Sequence, residues 1–96
     1  MGEVVGFIGA GSMAEAIVAG LLKRGVYGPE QIVVTNRSNR ERLREWQSRY
    51  GVQTETDAAA LLRRASHLIL AIKPKEMPEA MPGIRPHLRK GQVLLP

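Results

Sequence analysis

A chain of 96 residues has room for one domain with one modest core, and a 44% hydrophobic content argues against disorder. The absence of cysteine excludes a disulfide framework, a thiolate metal site and a cysteine nucleophile. A net charge of +5 invites a nucleic-acid reading, but no basic run exceeds two residues and only 4% of residues are aromatic, so no nucleic-acid partner is expected. No apolar run approaches the ~20 residues of a membrane span, and no basic leader precedes an apolar core. A soluble, cytoplasmic protein without a membrane partner is the expectation.

Residues 3–8 are predicted as a strand buried on both faces, carried by Val4, Val5, Phe7 and Ile8. The strand runs straight into Gly9-Ala10-Gly11-Ser12-Met13-Ala14, and Gly9-x-Gly11-x-x-Ala14 has the form of the dinucleotide fingerprint. Gly9 can adopt backbone angles that a Cβ forbids. Gly11 has no side chain to hold a pyrophosphate away from the backbone, and Ala14 lets the following helix lie close to the strand. The first N–H groups of that helix, with the positive end of its dipole, would then face phosphate.

Ser12 reads as a helix N-cap or first-turn residue. Met13, Ala16, Ile17, Gly20 and Leu21 recur at helical spacing, so this small-residue face is expected to lie flat on the sheet. Lys23 and Arg24 suit the negative end of the helix dipole, and Gly25 suits its stop. A loop through Val26-Tyr27-Gly28-Pro29-Glu30 leads to a second strand, residues 31–35. Ser38 is read as the N-cap of a helix over residues 39–49, with Leu43, Trp46 and Tyr50 as core or core-edge residues.

Residues 51–54 form a short third strand, and Asp57 caps a helix carrying Ala58, Leu61, Leu62 and Ala65. Residues 67–72 form the fourth strand, stopped at Lys73-Pro74. Pro78, Pro82 and Pro86 break the next stretch into short helical pieces, and a fifth strand begins at Gln92. Strands and helices thus alternate. The fold class is α/β, a Rossmann-like doubly wound parallel sheet of about five strands in the order 3-2-1-4-5, with helices on both faces. Residues 1–96 read as one dinucleotide (NADP)-binding domain. Because Leu95-Pro96 close an apolar strand, the chain is expected to be the cofactor half of a longer enzyme.

In such folds an acidic residue at the tip of the second strand selects NAD, and an arginine accommodates the 2′-phosphate of NADP. The tip here is Thr35-Asn36-Arg37-Ser38-Asn39-Arg40, without Asp or Glu. Arg37 can offer its planar fork to the phosphate, Asn36 and Ser38 can donate hydrogen bonds, and Arg40 adds positive field. NADP is therefore expected. Ala71-Ile72-Lys73-Pro74 lies where strand order reverses and should meet the nicotinamide-side ribose and pyrophosphate; Lys73 can reach phosphate or substrate. His67 and His87 read as surface or boundary residues, no metal-ligand cluster is visible, and no catalytic residue is assigned, because in hydride transfer the cofactor carries the chemistry.

These motifs, from Gly6-Phe7-Ile8-Gly9-Ala10-Gly11-Ser12-Met13-Ala14 through Asn36-Arg37-Ser38 to Ala71-Ile72-Lys73-Pro74, closely resemble pyrroline-5-carboxylate reductase over essentially the whole chain. The family includes a proline-biosynthetic enzyme and a competence-operon homologue. The resemblance implies NADPH-dependent reduction of the cyclic imine 1-pyrroline-5-carboxylate to proline, with hydride delivered to the imine carbon. It places cofactor contacts on Ile8, Gly9, Ala10, Gly11, Ser12 and Met13, on Asn36, Arg37 and Ser38, and on Ala71, Ile72, Lys73 and Pro74. Thr56 or Asp57 falls at the adenosine end. It further implies a helical C-terminal domain that binds substrate and forms a homo-oligomer, so the 96-residue piece by itself is expected to be inactive. The alternatives are a dinucleotide-binding regulatory module without chemistry, and another NADP-linked dehydrogenase of the β-hydroxyacid or coenzyme-F420-linked type.

Overall fold

The computed structural model describes residues 3–37 and 39–94. Five strands, β1 (Val5–Ile8), β2 (Ile32–Thr35), β3 (Gln53–Thr54), β4 (His67–Leu70) and β5 (Val93–Leu94), form one parallel sheet in the order β3-β2-β1-β4-β5. The predicted strand order is the one observed. Four helices, α1 (Ser12–Arg24), α2 (Arg40–Tyr50), α3 (Ala58–Arg64) and α4 (Met77–Ile84), connect the strands.

Alternation along the strands sorts the core into two layers. Val5 and Phe7 of β1 and Ile32 and Val34 of β2 join Ala14 and Val18 of α1 and Leu43 and Trp46 of α2. On the other face Ile8, Val33, Leu68 and Leu70 meet Leu61 and Leu62 of α3 and Ile84 of α4. Gly6, between Val5 and Phe7, lets α3 approach: a Cβ there would stand 2.5 Å from Leu61 Cδ2 and 2.9 Å from Ala65 Cβ.

The structure corrects three details of the sequence reading. Ile17 and Leu21 of α1 pack on the sheet, partly buried, as expected, but the rest of that face is Ala14, Val18 and Leu22. Met13 is 61% exposed, Ala16 is exposed, and a Cβ on Gly20 would meet nothing within 4 Å. The helix is apolar or small nearly all round, so periodicity admitted two faces, and packing on β1 selected the one through Ala14. The helix after β2 is capped by Asn39, whose Oδ1 accepts from the N–H groups of Glu41 and Arg42 at 3.1 and 3.2 Å; Ser38 lies outside the described residues. Gly51 ends α2 in a left-handed conformation and does not begin β3.

The proline-rich stretch behaves as its composition demands. A 3-10 turn (Pro74–Glu76), the eight residues of α4 and a second 3-10 turn (Arg85–His87) follow one another, with Pro78 in the first turn of α4 and Pro82 inside it. Gln92 is buried and its Nε2 donates to the carbonyls of Leu62 and Ala65, closing the carboxyl end of α3. Among the described residues no helix is long and apolar enough to cross a membrane.

Candidate functional site

Because the strands are parallel, their carboxyl ends share one edge. From β1 the chain leaves into α1 on one face, and from β4 into α4 on the other, so a crevice opens between these neighbours. Its larger part, about 630 Å³, runs from Ile8 and Gly9 past Thr35, Asn36, Arg37 and Arg40 to Thr56, Asp57 and Ala58. Ile72 and the α4 side, with Glu76, Glu79, Ala80, Gly83 and Ile84, form the opposite wall. The smaller part, about 240 Å³, lies at Gly9, Ala10 and Gly11, bordered by Asn36, Asn39, Arg42, Ala71, Ile72, Lys73 and Glu76.

The glycine turn is held from both sides. The Gly9 N–H donates to the Thr35 carbonyl at 2.8 Å, and the Ala71 N–H donates to the Ile8 carbonyl at 2.8 Å. Gly9 has φ +106°, and a Cβ on it would stand 2.5 Å from the Ala71 carbonyl oxygen, so both conformation and space require glycine. Gly11 is different. Its backbone is extended, with φ −85° and ψ −174°, and a Cβ would meet nothing within 4 Å. No contact inside the chain explains glycine here; the space it leaves opens on the smaller part of the crevice. Gly11 also caps α1 without a side-chain hydrogen bond, so the first N–H groups of α1 remain without helical partners at the positive end of the dipole.

At the tip of β2, Asn36 Nδ2 donates to the Asn39 carbonyl at 3.0 Å and shapes the approach to α2. Arg37 and Arg40 are exposed, and neither forms an ion pair among the described residues. Two uncommitted guanidinium groups beside a concave surface favour an anionic ligand. A 2′-phosphate fits this tip, and a pyrophosphate fits the turn at Gly11.

Of the residues singled out from sequence, Ile8, Gly9, Ala10, Gly11, Asn36, Arg37, Ala71, Ile72 and Lys73 line the crevice, as do Thr56 and Asp57. Ser12 and Met13 are exposed on the first turn of α1, beside the crevice and outside its lining, and Pro74 opens the exposed turn after Lys73. Ser38 lies outside the described residues. His67 starts β4 at the far edge of the sheet, with Nε2 3.2 Å from Glu3, and His87 is exposed.

Sequence reasoning missed Arg42, Glu15 and the acidic wall of α4. Arg42 Nε and Nη2 donate to the Ala10 carbonyl at 3.0 and 2.8 Å, and Nη2 lies 3.4 Å from Glu15 Oε1. The other Glu15 oxygen accepts from Arg49 Nη1 and from the Tyr50 hydroxyl, each at 2.8 Å. The Tyr50 hydrogen bond holds the Glu15 carboxyl below the usual carboxylate range; burial opposes this, and Arg42 and Arg49 reinforce it. A carboxylate in the first turn of α1 and a basic residue in the first turn of α2 were the available signal, and each alone reads as a solvated charge.

Residues 4–95 match the family described as "NADP oxidoreductase coenzyme F420-dependent". Pyrroline-5-carboxylate reductase 2 of Bacillus subtilis is 43% identical over 90 residues, which are 94% of this chain and 32% of that protein. A solved pyrroline-5-carboxylate reductase from Coxiella burnetii superposes with a TM-score of 0.84 at 33% identity, covering 97% of this chain and 34% of that one. At the level of fold, the Plasmodium falciparum pyrroline carboxylate reductase solved with NADP bound gives a TM-score of 0.79 at 18% identity, covering 97% of this chain and 32% of that one. The chain spans about a third of the length of the curated relatives it matches. On the match over nearly its whole length, the chain belongs to the coenzyme-F420-dependent NADP oxidoreductase family.

Proposed function

We propose that this chain binds NADPH in the crevice and forms the cofactor-binding part of a reductase that converts 1-pyrroline-5-carboxylate, a cyclic imine carboxylate, to proline. The observation that carries the cofactor assignment is Gly11. It is a glycine that the protein's own packing does not need, at the head of α1, where no side chain bonds the first N–H groups, and one strand away from the acid-free tip that bears Arg37. The N–H groups following Gly11 would hold the pyrophosphate and Arg37 the 2′-phosphate, while Ala71, Ile72, Lys73 and Pro74 would border the nicotinamide side. When bound, the cofactor supplies the hydride. The substrate assignment rests on the likeness to the Bacillus and Coxiella reductases. On the sequence resemblance, the proposal extends to a cytoplasmic homo-oligomer.

Calorimetric titration with NADPH and with NADH tests the assignment. NADPH should bind more tightly, and Arg37→Ala should weaken it about tenfold, the loss of one charge-assisted contact, while leaving NADH affinity unchanged. Equal affinities for the two nucleotides, or NADPH affinity unchanged in Arg37→Ala, overturn it.

A further inference from the structure

We infer that Arg42 is a positioning residue for the phosphate-binding turn, acting through the Ala10 peptide; the inference rests on the dinucleotide reading above. A guanidinium fork is shaped to grip a carboxylate or phosphate with parallel hydrogen bonds. Here two of its donors, Nε at 3.0 Å and Nη2 at 2.8 Å, converge on one backbone carbonyl, that of Ala10. The two residues are 32 positions apart in sequence, so this contact exists only in the folded chain.

The geometry of the peptide unit gives the contact its meaning. The Ala10 carbonyl and the Gly11 N–H belong to one planar trans peptide and point in opposite directions. Whatever fixes the carbonyl fixes the N–H. The unit turns about the Cα–C bond of Ala10 and the N–Cα bond of Gly11, and Gly11, without a Cβ, offers little steric resistance on its side. A turn with this sequence can swing its carbonyl toward the crevice, where an oxygen would repel a phosphate. Arg42 keeps the oxygen turned to α2.

Arg42 is itself anchored. Its guanidinium carbon lies 5.9 Å from the ring centroid of Trp46, which is buried in the core, and its Nη2 meets Glu15, which Arg49 and Tyr50 hold in turn. Arg42 thus links the core beneath α2 to the peptide at the mouth of the smaller part of the crevice, of which it forms part of the border.

The test compares wild type, Arg42→Met and Arg42→Lys in titrations with NADPH and with adenosine 2′-monophosphate, which carries the 2′-phosphate and no pyrophosphate. Arg42→Met keeps a long unbranched side chain at this position and removes the donors. It should weaken NADPH about tenfold and leave adenosine 2′-monophosphate unchanged, and Arg42→Lys, which retains a single charged donor nitrogen, should recover part of the loss. In the nucleotide-free chain the NMR order parameter of the Gly11 N–H should be lower in Arg42→Met than in wild type, because the peptide has lost its tether. NADPH affinity unchanged in Arg42→Met overturns the role, and so does an equal fall for both nucleotides, which marks a general structural effect. If wild type binds neither nucleotide, the dinucleotide reading fails; an equal Gly11 N–H order parameter in wild type and Arg42→Met overturns the positioning role by itself.

Discussion

The Tyr50 hydroxyl donates to the Glu15 carboxylate at 2.8 Å, tying the last residue of α2 to the first turn of α1. This bond is the largest influence holding the Glu15 carboxyl below its ordinary range. A carboxyl whose native value is lowered stabilises the fold fully above its unfolded value, near ~4.3, and that contribution is lost as pH falls through the native value. Tyr50→Phe should therefore lower Tm at neutral pH by about 4–8 °C, the equivalent of ~1 kcal/mol in a domain of this size. The gap to wild type should narrow in acid. Thermal melts of both proteins at neutral and acidic pH check this, and a constant gap would contradict it.

The two glycines of the turn should part company on substitution. Gly11→Ala meets no neighbour and needs no unusual backbone, so its Tm should correspond to a change within ~1 kcal/mol, while NADPH binding should fall sharply. Gly9→Ala combines a positive φ with a collision on the Ala71 carbonyl and should cost about 2–4 kcal/mol. Urea denaturation gives the stabilities and calorimetry the affinities. A Gly11→Ala variant that binds NADPH like wild type counts against phosphate at the turn.

Gly6→Ala should be destabilising by about 1–3 kcal/mol, since the new methyl group presses on Leu61 and Ala65. The cause can be isolated. Combined with Leu61→Val, the Gly6→Ala change should cost less than it does alone, because the atom it strikes first, Leu61 Cδ2, is gone. Additive costs in the double variant would show that the strain lies elsewhere.

Asn39→Ala should cost about 1 kcal/mol by removing the acceptor for the Glu41 and Arg42 N–H groups. Since α2 carries Arg42, the loss should also lower the order parameter of the Gly11 N–H in the nucleotide-free protein. A variant with unaltered urea midpoint would remove Asn39 as the effective cap.

Much of this arrangement is local enough to be read along the chain. Strand order follows from alternating strands and helices with right-handed crossovers, and the Gly9-Gly11 turn and the acid-free tip at Arg37 announce themselves in contiguous residues. What escaped is what depends on two distant segments meeting. Arg42 gains its role from Ala10 and Trp46, and Glu15 from Arg49 and Tyr50. The buried side of α1 was legible only in part: Ile17 and Leu21 pack on the sheet as expected and Met13 and Ala16 do not, because Met13, Ala14, Ala16 and Ile17 are all apolar and the sheet chooses between them. Glu76 and Glu79 lie in a proline-rich stretch whose placement against the crevice follows from the path of α4 back over β4.

The buried indole of Trp46 is the chain's sole tryptophan, and its N–H has no partner among the described residues. It meets Tyr50 edge-on at 6.2 Å between centroids and carries the Arg42 guanidinium on its face. An indole in that position reports on the charge lying over it. Anything that pulls Arg42 away from Ala10, or tightens it there, alters the electric field at the ring and so its emission. The molecule carries its own optical gauge of the glycine turn, read without a label and without a substitution.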